Sequence, residues 1–331
     1  MARMASRPDS VLDEGGARLD PDRIFTGVAL SAGLLVLAIL GLIAISTVHE
    51  AWPAFRESGA RFLTSTTWIP NDPDGPGPRT AEFGALAFVY GTAVASAIAL
   101  VLSVPVSIGI ALFTTEVAPR RLRGLVVAAV DLLAAVPSVV YGLWGIAVLA
   151  PGISGFYGRV ADWVDPIPGL NTIFGHDGTG RSLMTAGIIL AIMITPIVTS
   201  VSREVLATVP RGEKDAALAL GATRWEMIRG AMLPHSFGGL VGAVMLGLGR
   251  AMGETIAVAL VIGSSPQIVG NLFRSADAMP AVIVNLFGES SGVLRSALVG
   301  LGVVLFAMTI AVNAGARAVV QRTEVRMRGG A

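Results

Sequence analysis

Six long apolar runs, at about 24–48, 83–115, 125–149, 183–200, 237–263 and 293–314, constrain this chain more than any other feature. A helix needs about 18–20 apolar residues to cross roughly 30 Å of hydrocarbon. Hydrophobic residues make up 53% of the chain and charged residues only 14%, too little charge to cover a soluble domain of this size. The fold class expected is therefore an all-α polytopic membrane protein with six transmembrane helices. A membrane β-barrel would show short alternating segments in place of long apolar blocks. With no cysteine, disulfides, thiolate metal sites and cysteine nucleophiles are excluded.

Residues 1–23 mix both charges with Pro and Gly and read as a disordered tail. The run at 24–48 is too long for a signal-peptide core and lacks a clear cleavage site, so it counts as the first span of a permease domain covering 24–320. A turn-rich loop with PNDPDGPGP precedes the second span, which contains Pro105 and should kink there. The third span contains Asp131 and Pro137, a polar loop at 151–181 follows, and the fourth span contains Pro196. A helical hairpin at 203–234 leads into the fifth span, a loop at 264–292 into the sixth, and a basic tail at 321–331 ends the chain.

Six spans put both termini and the even-numbered connectors on one side. That side carries Arg3, Arg7, Arg18 and Arg23, then Arg120, Arg121 and Arg123, five basic residues of the hairpin and four of the C-tail. The opposite side has only Arg56, Arg61, Arg79, Arg159, Arg181, Arg274 and Arg295. The positive-inside rule places the termini and the hairpin in the cytoplasm.

The hairpin reads REVLATVPRGEKDAALALGATRWEMIRGAMLP. Good helix formers occupy 213–220, and Gly221 is placed to stop the helix in the left-handed conformation. Thr223 and Glu226 form a capping-box pattern for a second short helix, which Pro234 ends or passes on to the next. Small residues beside charges suit insertion into a groove on another protein; an amphipathic loop lying on the membrane fits the same pattern.

Arg250 and Glu254 stand four residues apart in the fifth span, Arg250 near its middle, so they should project from one helix face. A charge near the bilayer midplane costs about 2.5–3.5 kcal/mol on insertion scales, so Arg250 should face the protein interior with Glu254 as partner. Two readings stand: a guanidinium that forks onto an oxyanion in transit, with Glu254 neutralising it when the path is empty, or a buried ion pair that fixes helix packing. Gly238/Gly242 and Gly249/Gly253 have GxxxG spacing, best read as close helix packing. Asp131 could cap a helix, pair with an Arg near the cytoplasmic side or line the path, structural pairing being the favoured reading. Pro105, Pro137 and Pro196 should kink their helices, and Tyr90, Tyr141 and Trp144 anchor or pack. His49, His176 and His235 lack metal-ligand spacing, so no metal site is expected. There is no G-x-x-x-x-G-K-[ST], so the chain lacks a Walker A loop and ATP chemistry must lie in another subunit. No nucleophile motif appears, and no catalytic residue is assigned: the chain is expected to be no enzyme itself.

DAALALGATRWEMIRGAMLP is similar to the EAA loop of ABC importer permeases. Asp215, Ala216, Ala217, Gly221, Leu233 and Pro234 match its spacing; Asp215 stands for the usual Glu and Ala231 for the usual Ile. FLTSTTWIPN, FGALAFVYGT, AVPSVVYGLWG, GLGRAMGETIAV and MPAVIVNLFGES, in this order, resemble the PstC family of phosphate-importer permeases over most of 60–310. The resemblance implies a MetI-like ABC permease core in a bacterial cell membrane. It implies Arg250 and Glu254 in the substrate path, and ATPase coupling through Glu213, Asp215, Ala216, Ala217, Gly221, Leu233 and Pro234. It implies a PstA-like sister permease, two copies of a cytoplasmic ATPase that bind the ATP, and an extracytoplasmic phosphate-binding protein. Membrane lipid is the surrounding partner, no nucleic acid is expected, and no cofactor is expected in this chain. The competing readings are a permease for another oxyanion (sulfate, molybdate or a phosphonate), an ATP-independent anion channel or secondary transporter, and a non-transporting scaffold.

Overall fold

In hydrocarbon no water satisfies backbone N–H and C=O groups, so spanning segments close their hydrogen bonds internally as helices. The computed structural model follows that rule. It describes residues 21–69, 81–176 and 179–328. Most of the N-terminal tail, the PNDPDGPGP turn, Asp177 and the last three residues lie outside the described residues.

The order begins with α1 (Pro21–Ser58), α2 (Arg61–Thr64), strand β1 (Trp68–Ile69) and strand β2 (Glu82–Phe83). The two strands pair antiparallel, Trp68 opposite Phe83. Next come α3 (Leu86–Leu112), a π-turn at Phe113–Val117, α4 (Arg120–Ala135), α5 (Ser138–Trp144), α6 (Ala150–Val164) and α7 (Leu170–Ile173). The second half holds α8 (Leu183–Ala207), α9 (Arg211–Ala219), α10 (Arg224–Met227), α11 (Leu233–Gly253), α12 (Ile256–Val261), α13 (Met279–Leu286) and α14 (Gly292–Arg328). Among the described residues, six helical stretches are long and apolar enough to cross a membrane: Phe25–Ser58, Leu86–Val117, Ser138–Val164, Leu183–Ala207, Arg224–Gly253 and Gly292–Arg322.

The chain divides into two units after Ser46. In the first, α1 presents exposed apolar side chains such as Leu34, Leu37, Leu42 and Ile45, a surface suited to lipid.

Within the second unit α8 is central. Its apolar window is 61% buried, against 28% or less for every other span, and it packs on α3, α11, α4, α12 and α5. Lipid is as apolar as Leu, so helices associate through close packing rather than hydrophobic gain. Glycines supply that closeness. A Cβ on Gly187 of α8 would lie 2.4 Å from Ile98 Cγ2 of α3. A Cβ on Gly247 of α11 would lie 2.5 Å from Val198 Cγ2, and one on Gly239 2.5 Å from Val205 Cγ1, both on α8. The close-packing glycines of α11 are thus Gly239 and Gly247. Space is open beside Gly242, Gly249 and Gly253, which corrects the GxxxG expectation. The helix is turned so that the tight seam lies on its other face.

The third span is offset from the sequence reading. The third was placed at 125–149, but Val136 is extended (ψ 126) and Pro137 starts a new helix, so α4 is separate and the span runs Ser138–Val164. A residue before proline is disfavoured in the helical region, and here that preference breaks the helix. Tyr141 Oη donates 2.8 Å to the Leu133 carbonyl across the break. PGISGFYGRVADWV, assigned to a polar loop, is helix α6. Asp131 accordingly lies exposed on α4, without an ion pair among the described residues. Pro105 and Pro196 stay inside the continuous helices α3 and α8, where Ser107 Oγ donates to the Thr195 carbonyl at 3.2 Å.

The segment between α12 and α13 is pinned onto α3. Tyr90 Oη donates to the Val269 carbonyl at 2.7 Å, and Thr92 Oγ1 accepts from Met279 N at 3.0 Å. Gly91 lets the Asp277 carbonyl approach where any Cβ would sit 1.9 Å from its oxygen. Asp277 is buried at 5% exposure, and its carboxylate accepts from Ala278 N at 2.8 Å. Burial raises its pKa from 3.8 to about 6, and that backbone hydrogen bond only partly offsets the rise.

Two outcomes are expected. Gly247→Val should part α8 from α11 and lower unfolding stability by about 1–3 kcal/mol, read as a fall in thermal midpoint of the detergent-solubilised protein, whereas Gly249→Ala should not. The native state holds the Asp277 proton more tightly than the unfolded chain, so its contribution to stability is full below pH 4 and is lost as pH rises through 6. Over that window the loss amounts to about 3 kcal/mol, and Asp277→Asn should flatten it in midpoints measured from pH 4 to 7.

Candidate anion path and coupling hairpin

The fifth span does not run unbroken through Arg250 and Glu254. α11 ends at Gly253, Glu254 is extended (φ −69°, ψ 128°), and α12 begins at Ile256. Arg250 therefore sits in the last turn of α11, at the mouth of a break, instead of the middle of a helix. The i,i+4 argument fails with the helix, because an extended Glu254 leaves the face that Arg250 occupies. The basic–acidic side-chain contacts among the described residues are Lys214–Glu116 and Arg295–Glu50, with His176 beside Asp162 and His235 beside Glu213; Arg250–Glu254 is not among them. The Glu254 carboxylate turns instead to the start of α12, accepting from Ala257 N at a long 3.5 Å.

Arg250 is exposed and faces a cavity of about 540 Å³. Ile197 of α8, Gly242, Met245, Leu246 and Gly249 of α11, and Asn313 of α14 complete the lining. The open space beside Gly242 and Gly249 belongs to this cavity. Packing thus explains Gly239 and Gly247, whereas Gly242 and Gly249 leave room beside a guanidinium. Such a cavity can hold a hydrated oxyanion against a permanent positive charge. The break and Asn313 were missed in the sequence reading. Gly253 and Thr255, weak helix formers three and five residues after Arg250, were the available signal for the break; Asn313 gave none, because its neighbour on α11 is a tertiary matter.

The hairpin forms as its residues dictate. Gly221 has φ +88°, closing α9, and Thr223 and Glu226 make both hydrogen bonds of the capping box at the start of α10. α10 then passes through a π-turn at Ile228–Met232 into α11, with Pro234 in its first turn, so hairpin and fifth span are one continuous rod from Arg224 to Gly253. The residues expected to couple to an ATPase separate into two sets. Ala217 and Leu233 pack on a core of Ala111, Leu206, Val209, Met227, Ile228, Met232 and Leu240. Glu213 Oε2 meets His235 Nδ1 at 3.1 Å, whereas Asp215, Ala216 and Gly221 stay exposed.

Three features of the hairpin went unread in the sequence. Lys214 pairs with Glu116 of the π-turn that ends α3, both mostly shielded from solvent. Leu220 is 89% exposed and Trp225 62% exposed, an apolar face on either side of the Gly221 bend. The pairing of Lys214 has no sequence signal, because Glu116 is 98 residues away.

Comparison with known proteins finds relatives over most of the chain. Residues 103–325 match the family model described as binding-protein-dependent transport system inner membrane component. The phosphate transport system permease protein PstC of Mesorhizobium japonicum is 44% identical over 307 residues, 92% of this chain and 91% of that protein. PstC of Haemophilus influenzae is 40% identical over 87% of this chain and 89% of its own length. PstC 2 of Mycobacterium tuberculosis is 43% identical over 90% and 91%. Among solved structures, a chain of a bacterial alginate ABC transporter in complex with an alginate pentasaccharide-bound periplasmic protein superposes with TM-score 0.59 at 18% identity, covering 91% of this chain and 96% of that one, a likeness of fold alone. With six membrane-length helices, a helix–bend–helix hairpin running into the fifth, and these relatives, the chain is a multi-pass membrane permease subunit of an ABC transporter complex, and it belongs to the family of binding-protein-dependent transport system inner membrane components and, within it, to the PstC permeases.

Proposed function

We propose that this chain forms half of the translocation path of an ATP-driven phosphate importer. The observation that carries the reading is an unpaired Arg250 guanidinium facing a glycine-walled cavity at a helix break, in a chain so close to phosphate transport system permeases. A guanidinium offers forked donors to a tetrahedral oxyanion and keeps its charge at any physiological pH. Glu254 stands four residues on and is held at the start of α12. It can swing to Arg250 when the anion leaves, which keeps binding from becoming irreversible. A sister permease of the PstA type supplies the other half of the path.

ATP is hydrolysed in separate cytoplasmic ATPase subunits, two copies of which dock on the hairpins of the two permeases, so this chain binds no cofactor. Leu220, Trp225, Asp215 and Ala216 supply the exposed docking surface. Because hairpin and fifth span are one rod, a push on α9–α10 reaches the Arg250 break along the helix axis. The two side-chain contacts of α9, Lys214–Glu116 and Glu213–His235, carry the same push to the end of α3 and the start of α11. A phosphate-binding protein delivers substrate from outside. Both termini and the hairpin lie in the cytoplasm of a bacterial cell, on the arginine asymmetry of the connectors.

The test is phosphate uptake into vesicles containing this chain with its sister permease, ATPase and binding protein. Arg250→Gln should assemble normally and lose uptake at least about 10-fold, as expected when a desolvated charge-assisted contact is removed. Normal transport by the variant would sink the site assignment, and sulfate transport without phosphate transport would sink the substrate. Leu220→Asp combined with Trp225→Ala should leave the permease folded but release the ATPase during co-purification. Retention of the ATPase would show that it docks elsewhere.

A further inference from the structure

The Arg250 cavity does not end at Arg250. A second cavity of about 400 Å³ adjoins it, lined by Gly238, Val241, Gly242 and Met245 of α11 and by Asn313, Ala316, Arg317, Val320 and Gln321 of α14. Gly242, Met245 and Asn313 line both. On α11 the lining positions recur every three or four residues from 238 to 249, which is one helix face. On α14 positions 313, 316, 317, 320 and 321 recur the same way. The two cavities are therefore one furrow between α11 and α14, extending about 18 Å along α11 from Gly238 to Arg250 at 1.5 Å per residue.

A guanidinium stands in each half of this furrow. Arg317 is exposed and, like Arg250, makes no hydrogen bond or ion pair within the described residues. No acidic side chain occurs among the described lining residues of either cavity. Asn313 contributes an amide between the two arginines, and Gln321 a second one turn beyond Arg317. Two uncompensated cations, two amides and no carboxylate make a lining that an anion completes. Bidentate oxyanion binding is what a free guanidinium fork fits.

We propose that Arg317, with Asn313 and Gln321, forms a second phosphate-group station, one step from Arg250 towards the hairpin end of the furrow. It takes a tetrahedral phosphate group, either free phosphate in transit or the headgroup of an anionic phospholipid. The proposal deepens the reading of Arg250 and rests on it for the direction of travel. Two stations of moderate strength in one furrow let an anion step from the first to the second and leave, where a single deep site would hold it. Asn313, common to both halves, is the residue that hands it across.

The chain has no cysteine, so Ala316→Cys gives it a unique thiol inside the second cavity. The assembled transporter is reconstituted in phosphatidylcholine vesicles, and a water-soluble methanethiosulfonate is added with phosphate or with chloride. Modification of this chain is followed by mass. Phosphate should slow modification about fivefold, the effect of a site mostly occupied at the concentration used, and Arg317→Gln in the same background should abolish the protection. Protection by added phosphatidylglycerol but not by free phosphate, again lost with Arg317→Gln, makes the headgroup the occupant of the same station. No protection by either, or protection that survives Arg317→Gln, overturns the proposal. Val320→Cys, in the same cavity, serves if Ala316→Cys does not assemble. Arg250→Gln should leave the protection at Ala316→Cys in place while lowering uptake, so the two readings fail separately.

Discussion

Close approach of α8 to its neighbours is the constraint on which the rest of this structure depends. Helices in lipid gain nothing from hiding apolar surface, so they hold together only where side chains are small enough for backbones to meet. Gly187 admits Ile98 of α3, and Gly239 and Gly247 admit Val205 and Val198 of α8. Once α11 is seated by those two glycines, its rotation is fixed. Gly242, Gly249 and Arg250 must then lie away from α8's tight seam and along the open furrow. The furrow is in this sense a by-product of the packing: the face that does not fit α8 is the face left open.

A second dependence runs through helix breaks. Lipid-depth backbone can leave the helix only where protein or water satisfies its polar groups. The chain does so at Val136–Pro137, where Tyr141 covers a carbonyl, and at Glu254–Thr255, beside the Arg250 cavity. The first break separates an amphipathic helix from a span. The second puts the C-terminal end of α11, its carbonyls pointing out, next to Arg250, a favourable place for a cation. The same rod that ends at this break begins at α10, the second arm of the hairpin, so the hairpin and Arg250 stand at opposite ends of one helical stretch.

The hairpin shows how local and tertiary terms divide. Its bend at Gly221 and its capping box at Thr223 and Glu226 are short-range, and they formed where the residues called for them. Its anchorage is long-range. Lys214 reaches Glu116 at the end of α3, and Glu213 reaches His235 at the start of α11. Among the described residues these contacts leave Leu220 and Trp225 uncovered, which is the expected condition of a surface made for another subunit.

The sequence by itself determined the class, six membrane-length apolar stretches, and the hairpin and its caps. Each of these follows from composition or from contacts within a few residues. It also held, in the order of its motifs, the PstC kinship that the relatives then showed. The tertiary structure alone decided where the third span begins, that α11 stops short of Glu254, which glycines pack and which stand open, and that Asn313 and Arg317 join Arg250 in one furrow. The physical reason is the same in each case. Helix period says which residues share a face, but only the fit against neighbouring helices says which face is filled and which is left empty.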